Sequence, residues 1–117
     1  LESIHISKSV EKIGKFAFFS CISLLELSIP PSVKIIKDSA FEECMNLRKL
    51  AFMDGSALEF IGDFAFKGCI SLDKNKVIIP PGANCQKYTF DDENVINFHQ
   101  NDITNVITND QQKCNIY

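Results

Sequence analysis

The pattern Ala-Phe-x-x-Cys occurs three times along the chain, as Ala17-Phe18…Cys21, Ala40-Phe41…Cys44 and Ala65-Phe66…Cys69. Ala17 and Ala40 are 23 residues apart, and Ala40 and Ala65 are 25 apart. Self-similarity at a period of about 20–29 residues is the mark of a solenoid, in which one repeat cannot bury its own apolar face and needs its neighbours to do so. A solenoid is a surface rather than a chemistry, so the repeat constrains architecture far more tightly than ligand.

Leu1, Leu24, Leu47 and Leu72 open successive units. Ile4, Leu27, Leu50 and Val77 then stack, followed by Ile6, Ile29, Phe52 and Ile79. Val10, Val33 and Leu58 come next, then Ile13, Ile36 and Ile61, then the Ala-Phe pairs and the cysteines. This divides residues 1–85 into full repeats 1–23, 24–46 and 47–71 and a truncated fourth, 72–85, which supplies no Ile-x-x-x-Ala-Phe of its own. The third repeat carries extra residues within Met53-Asp54-Gly55-Ser56-Ala57, and the fourth within Asp73-Lys74-Asn75-Lys76.

Leu27, Ser28 and Ile29 alternate apolar and polar, as in a short strand. Pro30-Pro31 and Pro80-Pro81 end such strands, because proline has no N–H to give a neighbouring rung. Strands from successive repeats are expected to pair in parallel, with rungs about 4.8 Å apart. Ile36…Ala40-Phe41…Cys44 returns the chain, and its apolar spacing predicts a helical turn or short 3₁₀ segment. Gly14 and Gly62 are expected at tight backbone turns. The expected fold is an α/β-type solenoid, with a short parallel β-sheet on one face and 3₁₀ or short helical turns on the other. The sequence is expected to be a fragment of a longer array, or a C-terminal piece of one, because it enters in mid-array without a polar cap.

Leu24-Leu25-Glu26-Leu27-Ser28-Ile29-Pro30-Pro31-Ser32-Val33, Ile36, Ala40-Phe41-Glu42-Glu43-Cys44 and Leu47 resemble the BspA-type leucine-rich repeat. That variant has a period near 23 and the form L-x-x-L-x-I-P-x-S-V-x-x-I-G-x-x-A-F-x-x-C-x-x-L. The likeness covers roughly Leu1 to Ala83, and Ile13-Gly14 and Ile61-Gly62 supply the glycine that Ile36-Lys37 lacks. The resemblance implies a right-handed, curved coil from proteins of host-associated microbes, often on the cell surface and implicated in adhesion. It therefore implies a non-enzymatic protein-interaction module. The alternative reading is an intracellular leucine-rich repeat scaffold, lipid-tethered at its C-terminus.

Cys21, Cys44 and Cys69 hold equivalent positions and read as a ladder of small buried hydrophobes, not as bridges or zinc ligands. There is no Cys-x-x-Cys, and His5 and His99 lie far from that ladder in sequence. Cys85 reads as a partly exposed thiol of the truncated repeat. Cys114-Asn115-Ile116-Tyr117 has the outline of a prenylation box, but Asn115 is not aliphatic and Tyr117 is not a usual last residue. Membrane association is thus expected only through lipidation at Cys114 or through segments beyond this sequence. No apolar run is long enough to span a bilayer.

With a net charge of −3 and no Lys/Arg cluster, the chain lacks the electrostatic footprint of a nucleic-acid binder. No phosphate loop, triad or cofactor motif is found, so no catalytic residue, cofactor or metal is expected. A protein partner of unknown identity is expected on the outward positions of the strand face. In register these are Glu2, Leu25, Arg48 and Asn75; Ser3, Glu26, Lys49 and Lys76; and His5, Ser28, Ala51 and Ile78. Glu2, His5, Glu26, Ser28, Arg48, Lys49, Asn75 and Lys76 are the candidate binding residues. Residues 86–117 are rich in Asn, Asp and Gln and read as a polar C-terminal cap or a flexible tail. The cell surface or a membrane-associated location is favoured, with the cytoplasm as the alternative.

Overall fold

The computed structural model of the chain describes residues 3–90. Its strands are short: β1 (Ser3–Ile4), β2 (Lys12–Ile13), β3 (Glu26–Ile29), β4 (Ile35–Ile36), β5 (Lys49–Phe52), β6 (Phe60–Ile61) and β7 (Asn84–Cys85). They form two parallel sheets, one ordered β1-β3-β5 and the other β2-β4-β6-β7. Consecutive members of each sheet come from consecutive coils, so the chain winds as a parallel β-solenoid.

The register follows the repeat. Glu26 pairs with Ser3 and Lys49, Leu27 with Ile4 and Leu50, and Ile36 with Ile13 and Ile61. Inward residues of both sheets meet in one buried cluster that includes Leu24, Leu47, Val33, Leu58, Ala40 and Ala65. Phe18, Phe41, Phe66 and Phe90 form a column through it. Their ring centroids are 5.1, 5.2 and 5.3 Å apart, with interplanar angles of 9°, 4° and 13°. Such parallel rings add about 1 kcal/mol per pair beyond the area they bury. A phenylalanine at every repeat therefore ties adjacent coils at one rung spacing.

The return side corrects the helical expectation. Among the described residues the one helical segment is a 3₁₀ turn at Lys74–Lys76, which lies elsewhere in its coil. The segments leading to the cysteines are chains of β-turns whose N–H groups alternate in direction. Ala17, Phe19 and Cys21 donate three residues back, to Gly14, Phe16 and Phe18, while Phe16, Phe18 and Ser20 donate across to Asp38, Ala40 and Glu42. Ser39, Phe41 and Glu43 repeat the crossing to Asp63, Ala65 and Lys67. Phe16, Ser20, Ser39, Glu43 and Phe64 have φ near +60° and Gly68 has φ of 79°, so no run of helical dihedrals can build up. The fold is thus β and turn, not α/β.

The fourth coil is more complete than its sequence indicates. Cys85 takes the position of Ile61 in the next rung, and Thr89-Phe90 replaces Ala65-Phe66. The regular stack accordingly runs past Cys85 to Phe90. Thr89 is buried, and its hydroxyl lies 3.0 Å from the Gly62 carbonyl and 2.9 Å from that of Gln86, which lets a polar residue occupy an alanine position. Cys85 is disulfide-bonded, correcting its reading as a thiol.

Gly14 and Gly62 each open a tight turn as expected, their carbonyls accepting the Ala17 and Ala65 N–H at 3.2 and 3.4 Å, though neither has positive φ. Gly62 is there for close approach, since a Cβ would stand 2.6 Å from the backbone nitrogen of Asp38. Gly14 has open space around it.

Candidate functional site

The β1-β3-β5 face carries the outward columns of the repeat. Lys49 lies beside Glu26 and Ala51 beside Ser28, each in strand register. Glu26, Ser28, Arg48 and Lys49 are exposed, while Leu27, Ile29 and Leu50 between them are buried. His5 is exposed just beyond β1. Glu2 and Cys114 lie outside the described residues.

The fourth rung departs from expectation. Asn75 and Lys76 do not extend the sheet; they belong to the 3₁₀ turn, whose N-cap Asp73 accepts the Asn75 N–H at 3.1 Å. Val77 still enters the core beneath them and is buried. The extra polar residues are absorbed in this turn, and among the described residues no fourth strand pairs with β5. A crevice of about 410 Å³ results, with Leu50, Leu72 and Val77 beneath Glu26, Arg48, Lys49 and Lys76. Four of the expected residues thus converge at one end of the face, and His5, Ser28 and Asn75 do not line the crevice.

Its charge is mixed. Arg48 Nη2 lies 3.7 Å from Glu26 Oε2, with both side chains more than half exposed, so water screens the pair and it contributes little stability. The crevice is lined by three cations, Arg48, Lys49 and Lys76, and two carboxylates, Glu26 and Asp73, so its lining carries one net positive charge.

A second feature escaped the sequence reading. Ile22, Met45 and Ile70, each directly after a repeat cysteine, are exposed by 52%, 43% and 80% and form an apolar row along one edge. Asn46 Nδ2 donates to the Ile22 carbonyl at 2.6 Å and Ser71 Oγ to the Met45 carbonyl at 2.8 Å, fixing the turns that present them. The signal was available, since each repeat cysteine is followed by Ile or Met.

The cysteine ladder is interior. Cys44 and Cys69 are buried, Cys21 is partly so, and all three are free. Cys44 Sγ donates to the Phe18 carbonyl at 3.2 Å and Cys69 Sγ to that of Phe41 at 3.4 Å. Hydrogen bonding with Cys44, then burial, pushes the Cys69 thiol far above the ordinary range, and burial raises Cys21. Such thiols are poor nucleophiles. Among the described residues no group of three or more His, Cys, Asp or Glu could hold a metal, and no helix is long and apolar enough to cross a membrane.

A family profile described as "BspA type Leucine rich repeat region (6 copies)" matches residues 1–116. The crystal structure of a leucine rich repeat protein from T. pallidum matches with 32% sequence identity and a TM-score of 0.58. The match covers 67% of this chain but 36% of that one, so the chain spans about a third of that protein's length. No curated protein sequence matches significantly. Leucine-rich repeat arrays of this kind are protein-interaction modules and typically not enzymes. Repeat period, stacked phenylalanines and parallel coils agree with the profile: the chain belongs to the BspA-type leucine-rich repeat family.

Proposed function

We propose that the chain is the recognition surface of an adhesion or host-contact protein at the cell surface, acting by binding and not by catalysis. The observation that carries this reading is the convergence of Glu26, Arg48, Lys49 and Lys76 around one crevice on the exposed sheet face. The net positive lining favours an acidic partner surface, through attraction that falls as salt screens it. Cys85 supports the extracellular side of the reading, because disulfides persist in oxidising compartments.

The test uses beads coated with the full chain and scored for attachment to cultured host cells at two salt concentrations. Arg48→Glu together with Lys49→Glu is expected to reduce attachment severalfold and flatten its salt dependence. Unchanged attachment removes this face as the contact. Capture of the protein from intact cells labelled with a membrane-impermeant biotin reagent tests location; failure of that labelling favours the intracellular scaffold.

A further inference from the structure

The crevice beside β5 is also an unfinished edge of a sheet. Lys49 N–H donates to the Leu25 carbonyl at 3.3 Å and Met53 N–H to that of Ile29 at 3.0 Å. Alternate residues of a parallel strand address the same neighbour. Lys49 and Ala51 therefore bond toward β3, and Leu50 and Phe52 turn their N–H and C=O groups the other way. In a regular stack the fourth coil would meet them. Here the Val77 N–H turns back to the Lys74 carbonyl at 3.2 Å, and among the described residues no strand pairs with the outer edge of β5.

An open strand edge is a template for another strand. We infer that β5 accepts an extended acidic peptide of a partner protein, which adds its backbone to Leu50 and Phe52 between Lys49 and Lys76. This rests on the proposed interaction role and specifies its ligand class. Three features select that occupant. The unpaired backbone groups alternate as an extended chain requires, and such pairing supplies affinity while side-chain pockets supply specificity. The floor is apolar, since Leu50, Leu72 and Val77 are 4%, 7% and 2% exposed, which suits one aliphatic side chain at alternate positions of the peptide. The rim carries Arg48, Lys49 and Lys76 against the carboxylates Glu26 and Asp73, a net positive lining in which Glu26 already engages Arg48. Acidic residues on the solvent-facing positions of the peptide would complete it.

The probe is a fluorescein-labelled hexapeptide alternating Asp or Glu with Val, titrated into the full chain. Three results are expected together: saturable binding, slowed amide exchange at Leu50 and Phe52, and about tenfold weaker binding for Lys49→Glu with Lys76→Glu. A tenfold change corresponds to about 1.4 kcal/mol. N-methylation of alternate peptide nitrogens leaves the protein untouched and is expected to abolish binding in one of its two registers. Absence of saturable binding, or equal binding by both N-methylated forms, overturns the inference. If the peptide fails while the Arg48 and Lys49 variant still loses cell attachment, the interaction face stands and only strand addition falls. If both fail, the face falls with it.

Discussion

The Asp38 carboxylate accepts the Asp63 N–H at 3.0 Å, in the space left by the missing side chain of Gly62. The two adjacent coils therefore close on each other through one acid and one glycine, and the contact depends on both.

Gly62→Ala is expected to destabilise the chain by about 1–3 kcal/mol, because the obstacle is the Asp38 backbone and cannot swing aside. Gly14→Ala, at the equivalent place with nothing nearby, should change stability by less than about 0.5 kcal/mol. Urea unfolding midpoints of the two variants check the contrast. Equal losses would mean that backbone freedom, and not close approach, is what the Ile-Gly pair provides.

The inward spine was legible because one requirement recurs in every coil. Leu24, Leu27, Ile36 and Phe41 each fill a slot whose volume is set by the same slot above and below. Departures from it were not legible where a different residue met the same need. Cys85 and Thr89 break the printed pattern, yet one is small enough for an isoleucine position and the other satisfies its hydroxyl on neighbouring carbonyls. The return side was misread because apolar spacing is similar in a helix and in a run of turns. What separates them is left-handed backbone at residues such as Phe16 and Glu43, whose side chains do not announce it. At the candidate site the columns Glu26–Lys49 and Ser28–Ala51 followed from period alone. The crevice did not, since nothing in Asp73-Lys74-Asn75-Lys76 says whether extra residues loop outward or tighten into a 3₁₀ turn.

Glu43 and Gly68 hold corresponding places in consecutive coils, with φ of 61° and 79°. Glu43→Gly should stabilise the chain by about 0.5–1 kcal/mol, the left-handed penalty outweighing glycine's greater chain entropy when unfolded. Gly68→Ala should cost about 1–2 kcal/mol from the same penalty, increased by the Glu43 side chain 3.1 Å from the new Cβ. Thermal melts of both variants read the opposite signs; a common sign would count against this account.

Phe41 is sandwiched between Phe18 and Phe66 and fully buried, whereas Phe18 is partly exposed. Phe41→Ala is expected to cost about 3–5 kcal/mol, with Phe18→Ala clearly below that range. Denaturant titration orders the two, and an inverted order would deny the column its structural role.

The raised Cys69 thiol links stability to alkaline pH. Its folded pKa exceeds the unfolded one, so the unfolded chain releases its proton first. The contribution is intact below about pH 8.5, the ordinary thiol value, and falls with pH above it, while the Cys44 thiol, held low by its hydrogen bond with Cys69, contributes in the opposite sense. Cys69→Ala should remove that slope from stability measured between pH 7 and 10. In the native chain iodoacetamide should modify Cys21 well before Cys44 or Cys69, as peptide mass mapping would show.

The third coil accommodates Met53–Ala57 as an exposed bulge turning at Gly55, yet Ala57 rejoins the Pro31 carbonyl at 2.9 Å and Leu58 returns to the core. Length at that corner is therefore decoupled from the winding. A graft placed between Gly55 and Ser56 would ride on the outside of the column, as a flag does on a mast, without asking any neighbouring layer to readjust.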